Sequence, residues 1–304
     1  MVGPHVGVDR EERRRFWTEY QPGLRSTDAE VGDTRFFEEV DAYRYVEEPD
    51  IEEMVDFSSW SGSDVLEAGC GMATDGTRFV RAGANYTGVD FSPTALSLAR
   101  ERLAGEQLAE GQKWDVVEGD ITRLPFPDGS FDLVYSNGVI HHVEETERVV
   151  AEFHRVLRPG GRVIVMVYHR RSLNYYFTIM TLRRILALAL LVPGGSRLVA
   201  RLTGEREEVL EGHRELLRRR GLRYLADRRE FLSHNTDGPG NPLSKVYTRS
   251  DANQLFNQFG DIECHVRYLN VRLYPGLRRL RDSRVLRPFD RSSGWHLWVK
   301  ARKA

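Results

Sequence analysis

The sequence predicts an α/β protein built on a doubly wound, mostly parallel sheet of seven strands, with an antiparallel C-terminal strand and a helical lid inserted after the fifth strand. Three observations carry this. Short apolar runs alternate with helical patterns between residues 64 and 168, the rhythm of strands joined by crossover helices. The first run leads into Gly69-Cys70-Gly71, glycines at a strand-to-helix junction. The rhythm stops near residue 170 and resumes only near 250.

Taken in order, Asp64–Glu67 reads as the first strand and Thr74–Ala82 as a helix stopped by Gly83. Tyr86–Asp90 is the second strand. Ser92 then caps a helix that carries Pro93 at its first position and runs through Leu103. Trp114–Glu118 and Phe131–Ser136 are the third and fourth strands, the latter preceded by the turn Pro127-Asp128-Gly129. A helix over Glu145–Leu157 ends at Arg158-Pro159-Gly160-Gly161, and Arg162–Tyr168 is the fifth strand. Ser250–Phe259 is a helix capped by Ser250, followed by strands at Asp261–Leu269 and Trp295–Ala301. The basic stretch Arg272–Arg291 between them is too long for a hairpin turn. Four parts result: an N-terminal helical cap (1–60), a cofactor-binding core (61–169), a helical insertion (170–248) and the completion of the sheet (249–304).

Length and composition bound the class. A chain of 304 residues, 40% hydrophobic and 29% charged, is ordinary for a soluble globular protein. The longest apolar run, Ile185–Val192, is far short of the roughly 20 residues a membrane span needs. No basic start followed by an apolar run marks a signal peptide. With only two cysteines, one inside the glycine motif, a reducing cytoplasm is the expected location. The net charge of −1 hides an asymmetry. Residues 1–160 hold 16 Lys/Arg against 32 Asp/Glu; residues 161–304 hold 28 against 13. Solvated helix faces account for this, as does a basic half facing an anionic acceptor, an anionic surface or the acidic half of a second copy in a homodimer.

The stretch Val65–Gly76 is where chemistry enters. Glycines there let the backbone approach a ligand, and the following helix offers free N–H groups. Open parallel sheets bind ligands at this edge. Two nucleotide classes share the architecture, and spacing separates them. A dinucleotide fingerprint needs a third glycine where Thr74 stands. Glu67 at the end of the first strand would also repel a pyrophosphate. A carboxylate there suits a cationic ligand, and S-adenosylmethionine (SAM) carries an ammonium and a sulfonium.

In order along the chain come Glu67-x-Gly69-x-Gly71, Tyr86-Thr-Gly-Val-Asp-Phe-Ser92, Glu118-Gly-Asp-Ile121, Phe131-Asp-Leu-Val-Tyr-Ser-Asn-Gly-Val-Ile-His-His142 and Leu157-Arg-Pro-Gly-Gly161. This ordered set, over about residues 62–170, resembles the class I SAM-dependent methyltransferases with their Rossmann-like fold. Within them it is similar to the group holding ubiquinone-biosynthesis-type and other small-molecule methyltransferases. The resemblance implies that Gly69 and Gly71 line the methionyl end of SAM. It implies that Asp90 accepts from both ribose hydroxyls and that Asp120 takes the adenine amino group. Phe91 and Ile121 would pack on the adenine faces, with Asn137 near the sulfonium. The sequence departs from the family pattern at Ala73, where a third glycine is common. Other roles compete for the acids: Asp90 as a helix-start carboxylate, Asp120 as a turn cap, Glu67 as a backbone anchor.

On the acceptor side the readings are looser. Methyl transfer from a sulfonium needs in-line positioning, exclusion of water and, for O or N nucleophiles, a base. No metal is required and no metal-ligand cluster stands out. His169, leaving the fifth strand, is the first choice for acceptor contact; His141 and His142 follow the fourth strand as catalytic or packing groups. The insertion is expected to form the lid, with Tyr168, Tyr175, Tyr176 and His234 in the acceptor pocket. Tyr45, beside Arg44, closes the other side or caps the sheet. The apolar stretch Ser172–Met180 packs in the core, holds a large apolar acceptor or lies at a membrane surface. The leading function is methyl transfer to an O, N or C atom of a small molecule, anionic or apolar. An RNA-modifying enzyme, a non-catalytic SAM-binding protein and a nicotinamide-dependent oxidoreductase compete. The first of these lacks any recognisable RNA-binding module.

Overall fold

Strands buried on both faces pair in parallel, and helices cover both sides of the resulting sheet. β1 (Asp64–Ala68), β2 (Asn85–Asp90), β3 (Trp114–Glu118), β4 (Phe131–Asn137), β5 (Leu157–Tyr168), β6 (Gly260–Arg267) and β7 (His296–Arg302) form one seven-stranded sheet in the order β3-β2-β1-β4-β5-β7-β6. Only β7 runs against the rest, antiparallel to both β5 and β6. The computed structural model describes residues 10–21, 23–24, 26–270 and 286–304. The stretch 271–285, most of the expected basic connection, lies outside the described residues.

The helices in chain order are α1 (Arg10–Glu19), α2 (Thr34–Glu47), α3 (Asp50–Val55), α4 (Thr74–Arg81), α5 (Pro93–Ala104) and α6 (Thr146–Val156). After β5 come a π-helix (Asn174–Arg183), α7 (Arg184–Ala189), α8 (Gly195–Thr203), α9 (Glu207–Arg220), α10 (Arg223–Ala226) and α11 (Arg228–His234). α12 (Arg249–Leu255) and α13 (Arg287–Ser293) complete the set. The Ser92 cap of α5 is as expected: its hydroxyl accepts from the Ala95 N–H with Pro93 just inside.

Two local expectations change. The cap of α12 is Thr248, not Ser250, in a reciprocal capping box with Asp251. β5 begins at Leu157, because the Arg158–Gly161 turn is absorbed as an irregularity in the strand. The register jumps from Phe131 opposite Leu157 to Leu133 opposite Arg162.

Two apolar layers flank the sheet. One gathers Ile51, Phe79, Tyr86, Tyr135 and Trp298; the other gathers Leu66, Val134, Phe153, Val165 and Phe256. A buried polar link ties the N-terminal helices to the far edge of the sheet. Asp50 Oδ2 accepts from Trp298 Nε1 at 2.8 Å and lies 3.0 Å from His296 Nδ1. The strand order reverses between β1 and β4. That switch point is where the carboxyl ends of an open parallel sheet leave a crevice.

Candidate functional site

Gly69, leaving β1, has φ +80°, and a Cβ placed on it would come 2.5 Å from Val139 Cγ2. Only glycine fits so close to the loop after β4. The third-glycine position, Ala73, adopts φ 55°, ψ 41°, left-handed and fully buried. A glycine would adopt this conformation freely, and the alanine bears a strain of about 1 kcal/mol.

These turns open a cavity of about 680 Å³ at the β1–β4 switch point, within the usual range for a small-molecule site. All eight residues assigned to the cofactor line it: Glu67, Gly69, Gly71, Asp90, Phe91, Asp120, Ile121 and Asn137. Asp90 accepts from the Gly71 N–H and the Ser92 N–H, each at 2.9 Å. It thus anchors the glycine loop and the start of α5, while burial raises its carboxyl above the usual range against those bonds.

Beside Gly69 lies a buried acidic pair. Asp75, in the first turn of α4, accepts from Arg44 Nε (3.1 Å) and Nη2 (2.9 Å), Tyr45 Oη (2.8 Å) and Tyr135 Oη (2.7 Å). Asn137 Nδ2 adds a longer contact at 3.4 Å. Burial opposes the charge, but Arg44 and these donors hold Asp75 below the usual carboxylate range. Among the described residues Glu67 accepts a hydrogen bond from Tyr86 Oη, at 2.6 Å. Burial, reinforced by the Asp75 charge, pushes its carboxyl well up. A cation entering here would face two buried carboxylates.

The roof comes from α1 and α2. Arg10, Arg13, Arg14, Trp17 and Gln21 all line the cavity, a 3-and-4 spacing that places them on one helical face. Arg10 pairs with Asp120 at 2.8 Å and Arg14 with Glu118 at 2.8 Å. Gln21 Nε2 donates to Ser92 Oγ at 2.8 Å and pins the end of this segment to α5. Arg13 differs from the other arginines of the wall. Its Nε is buried without a hydrogen-bond partner among the described residues.

The insertion expected to be the lid supplies none of the described lining residues. Tyr175 and Tyr176 lie on the π-helix away from the cavity, Tyr176 exposed to solvent. His234 is half-buried against the Tyr224 ring. Tyr45 faces Asp75 behind the wall. Tyr168 stacks on Trp295 and gives its hydroxyl to Asp237 at 2.9 Å. None of these five is among the lining residues.

The first-choice histidine is also elsewhere. His169 is buried with Nδ1 3.1 Å from the Gly294 carbonyl, outside the lining. His141 is fully buried between His142 and Tyr168, both ring nitrogens without a hydrogen-bond partner among the described residues. Burial pushes it well below the usual histidine range, so it packs as a neutral ring.

His142 is the histidine that lines the cavity, with Trp17 against it at 4.7 Å. The Leu243 carbonyl, 2.7 Å from Nδ1, can only accept, so Nδ1 carries the proton and Nε2 is the bare nitrogen. Nε2 sits 3.4 Å from Asp237 Oδ2. Burial lowers His142 from the usual range, and Asp237 partly offsets this.

The reading from sequence missed Asp75 and the α1 arginines; it named Trp17 only among N-terminal aromatics that close the other side of the site or cap the sheet. The signal for the arginines was the 10-13-14-17-21 spacing. Asp75 reads as an ordinary first-turn acid.

Residues 66–165 match the family described as methyltransferase domain. A demethylmenaquinone methyltransferase of Tropheryma whipplei is 35% identical over 127 residues, 41% of this chain and 51% of that protein. A malonyl-[acyl-carrier protein] O-methyltransferase of Pectobacterium atrosepticum is 37% identical over 101 residues, 33% of this chain and 37% of that one. The chain thus spans about half the length, or less, of these relatives. A solved SAM-dependent methyltransferase from Methanosarcina mazei superposes with TM-score 0.52 at 16% identity, covering 84% of this chain and 97% of the other; it shares the fold. No helix among the described residues is long and apolar enough to cross a membrane.

Proposed function

We propose that this chain, whose core is a methyltransferase domain of the class I SAM-dependent kind, transfers a methyl group from SAM to a small-molecule acceptor. The observation that carries the reading is the gathering of Glu67, Asp75, Asp90 and Asp120 around one cavity at the switch point of the sheet. Four acids are the wrong lining for a pyrophosphate and the right one for a ligand with an ammonium, a sulfonium, a diol and an amino group.

In this reading Gly69 and Gly71 admit the methionyl end, with Glu67 and Asp75 facing its ammonium. Asp90 receives the ribose hydroxyls. Asp120, between Phe91 and Ile121, receives the adenine amino group. SAM, when bound, supplies an electrophilic methyl, so the protein's task is positioning and proton removal. Trp17 and Val139 wall off water from above and from the loop after β4. His142, a lining residue, would take the acceptor proton once a shift of its ring uncovers Nε2, which is buried beside Asp237; Tyr168 and Asn241 hold that carboxylate in place. Arg13, whose Nε has no hydrogen-bond partner among the described residues, faces an acidic group on the acceptor.

Incubation of the full chain with methyl-labelled SAM and a panel of acidic, phenolic and quinone-like acceptors tests this. The reading requires label in at least one small molecule, with acidic acceptors favoured and that preference erased by Arg13→Ala. SAM binding with no transfer to any acceptor would leave a SAM-binding protein in place of an enzyme.

A further inference from the structure

The insertion has an outward face that the cavity does not use. Nine of the fifteen exposed large apolar side chains among the described residues fall within 171–204. They follow helical spacing. Ile185, Leu188 and Val192 are three and four apart along α7 and its end, and Leu198 and Leu202 are four apart on α8. Phe177 continues the exposed apolar surface on the preceding π-helix. The opposite faces of the same helices, through Ile179, Ala187, Leu190 and Val199, are buried in the core. α7 packs against both the π-helix and α8, so the exposed stripes adjoin. Soluble single chains rarely leave so much contiguous apolar surface bare.

Charge decides the occupant. Residues 171–204 hold five arginines and no Asp, Glu or Lys. Arg171, Arg197 and Arg201 are exposed, and the last two directly precede Leu198 and Leu202. A two-fold pairing of this face with a second copy would set arginine against arginine, with no acid in the segment to relieve it. An anionic bilayer surface meets both demands. It takes apolar side chains into the acyl boundary and arginines at the headgroups.

We infer that the outer face of the π-helix, α7 and α8 is a peripheral docking surface for an anionic lipid bilayer. The face is separate from the cavity, and the inference stands whether or not methyl transfer is the activity. Binding is through amphipathic contact in the plane of the interface, not by a span.

Cosedimentation of the full chain with phosphatidylcholine vesicles, with and without phosphatidylglycerol, tests it. The expected result is binding to the anionic vesicles that is weakened by salt. Arg197→Gln with Arg201→Gln lowers the partitioning by about tenfold or more, since each basic residue near such a surface contributes roughly a factor of five. Ile185→Glu with Leu188→Glu abolishes it while the thermal midpoint stays unchanged. The arginine pair, fully on the surface, keeps the test decisive if the second variant fails to fold. Absence of protein from vesicles of both compositions would overturn the inference. So would a concentration-dependent dimer in sedimentation equilibrium that Ile185→Glu with Leu188→Glu dissolves, because the face would then belong to a second copy.

Discussion

Two segments outside the sheet, residues 10–48 and 170–248, were both expected near the cavity, and they meet it in different ways. The N-terminal segment is rich in acids by composition, yet it turns arginines inward. Arg10, Arg14 and Arg44 each bind a carboxylate of the core. The insertion is rich in arginine and keeps apolar side chains outward; it approaches the site behind His142, through Asp237, Leu243 and Ser244. Net charge therefore does not tell which segment covers a ligand. What tells is where the unpaired carboxylates of the core lie, because they draw cations from whichever segment can reach them.

The largest expected effect attacks the inward segment. Asp75→Ala leaves Arg44 without its partner in a half-buried position and strips Tyr45 and Tyr135 of their acceptor. The expected loss is about 3 kcal/mol in urea unfolding. Because Asp75 is held below its ordinary value of 3.8, its stabilisation is complete above about that pH and lost as pH falls further. The Asp75→Ala variant should therefore close the gap to the parent chain only in acid.

Next comes His142, the lining histidine that the insertion backs. His142→Ala should lower turnover about 100-fold with the KM for SAM unchanged. In the parent chain the activity should rise with pH along a limb below 6.5, since burial lowers His142 from that value, and level off above it. His169→Ala should leave turnover within about threefold of the parent, far from the 10²–10⁴ typical of a lost acid or base. The smallest effect belongs to the exposed Arg10. Its pair with Asp120 is a surface contact worth at most about 1 kcal/mol. Arg10→Ala should barely move stability and should tighten SAM binding no more than about fivefold, by freeing Asp120 Oδ2.

The sheet was legible because its strands are short apolar runs punctuated by glycine and proline, and each of these signals is local. This wall of the cavity was legible for the same reason: Glu67, Asp90, Asp120 and Asn137, which line it, each end or follow a strand. The roof was not. The bond from Arg14 to Glu118 joins residues 104 apart, and helix periodicity says that a face exists without saying what it faces. The same ambiguity misplaced the lid. In the insertion the apolar stripes are real, but half of them point outward. Nor does the sequence separate His169 from His142. Both leave strand ends, and only the tertiary position of Trp17 and Asp237 distinguishes the ring on the cavity from the ring behind it.

The central claim is that the cavity at the β1–β4 switch point is a SAM site, and calorimetric titration of SAM into the parent chain and its Asp90→Ala variant tests it most directly. The account predicts a single site on the parent chain and no measurable binding to Asp90→Ala at an unchanged fold. Equal affinity in the two proteins would contradict it.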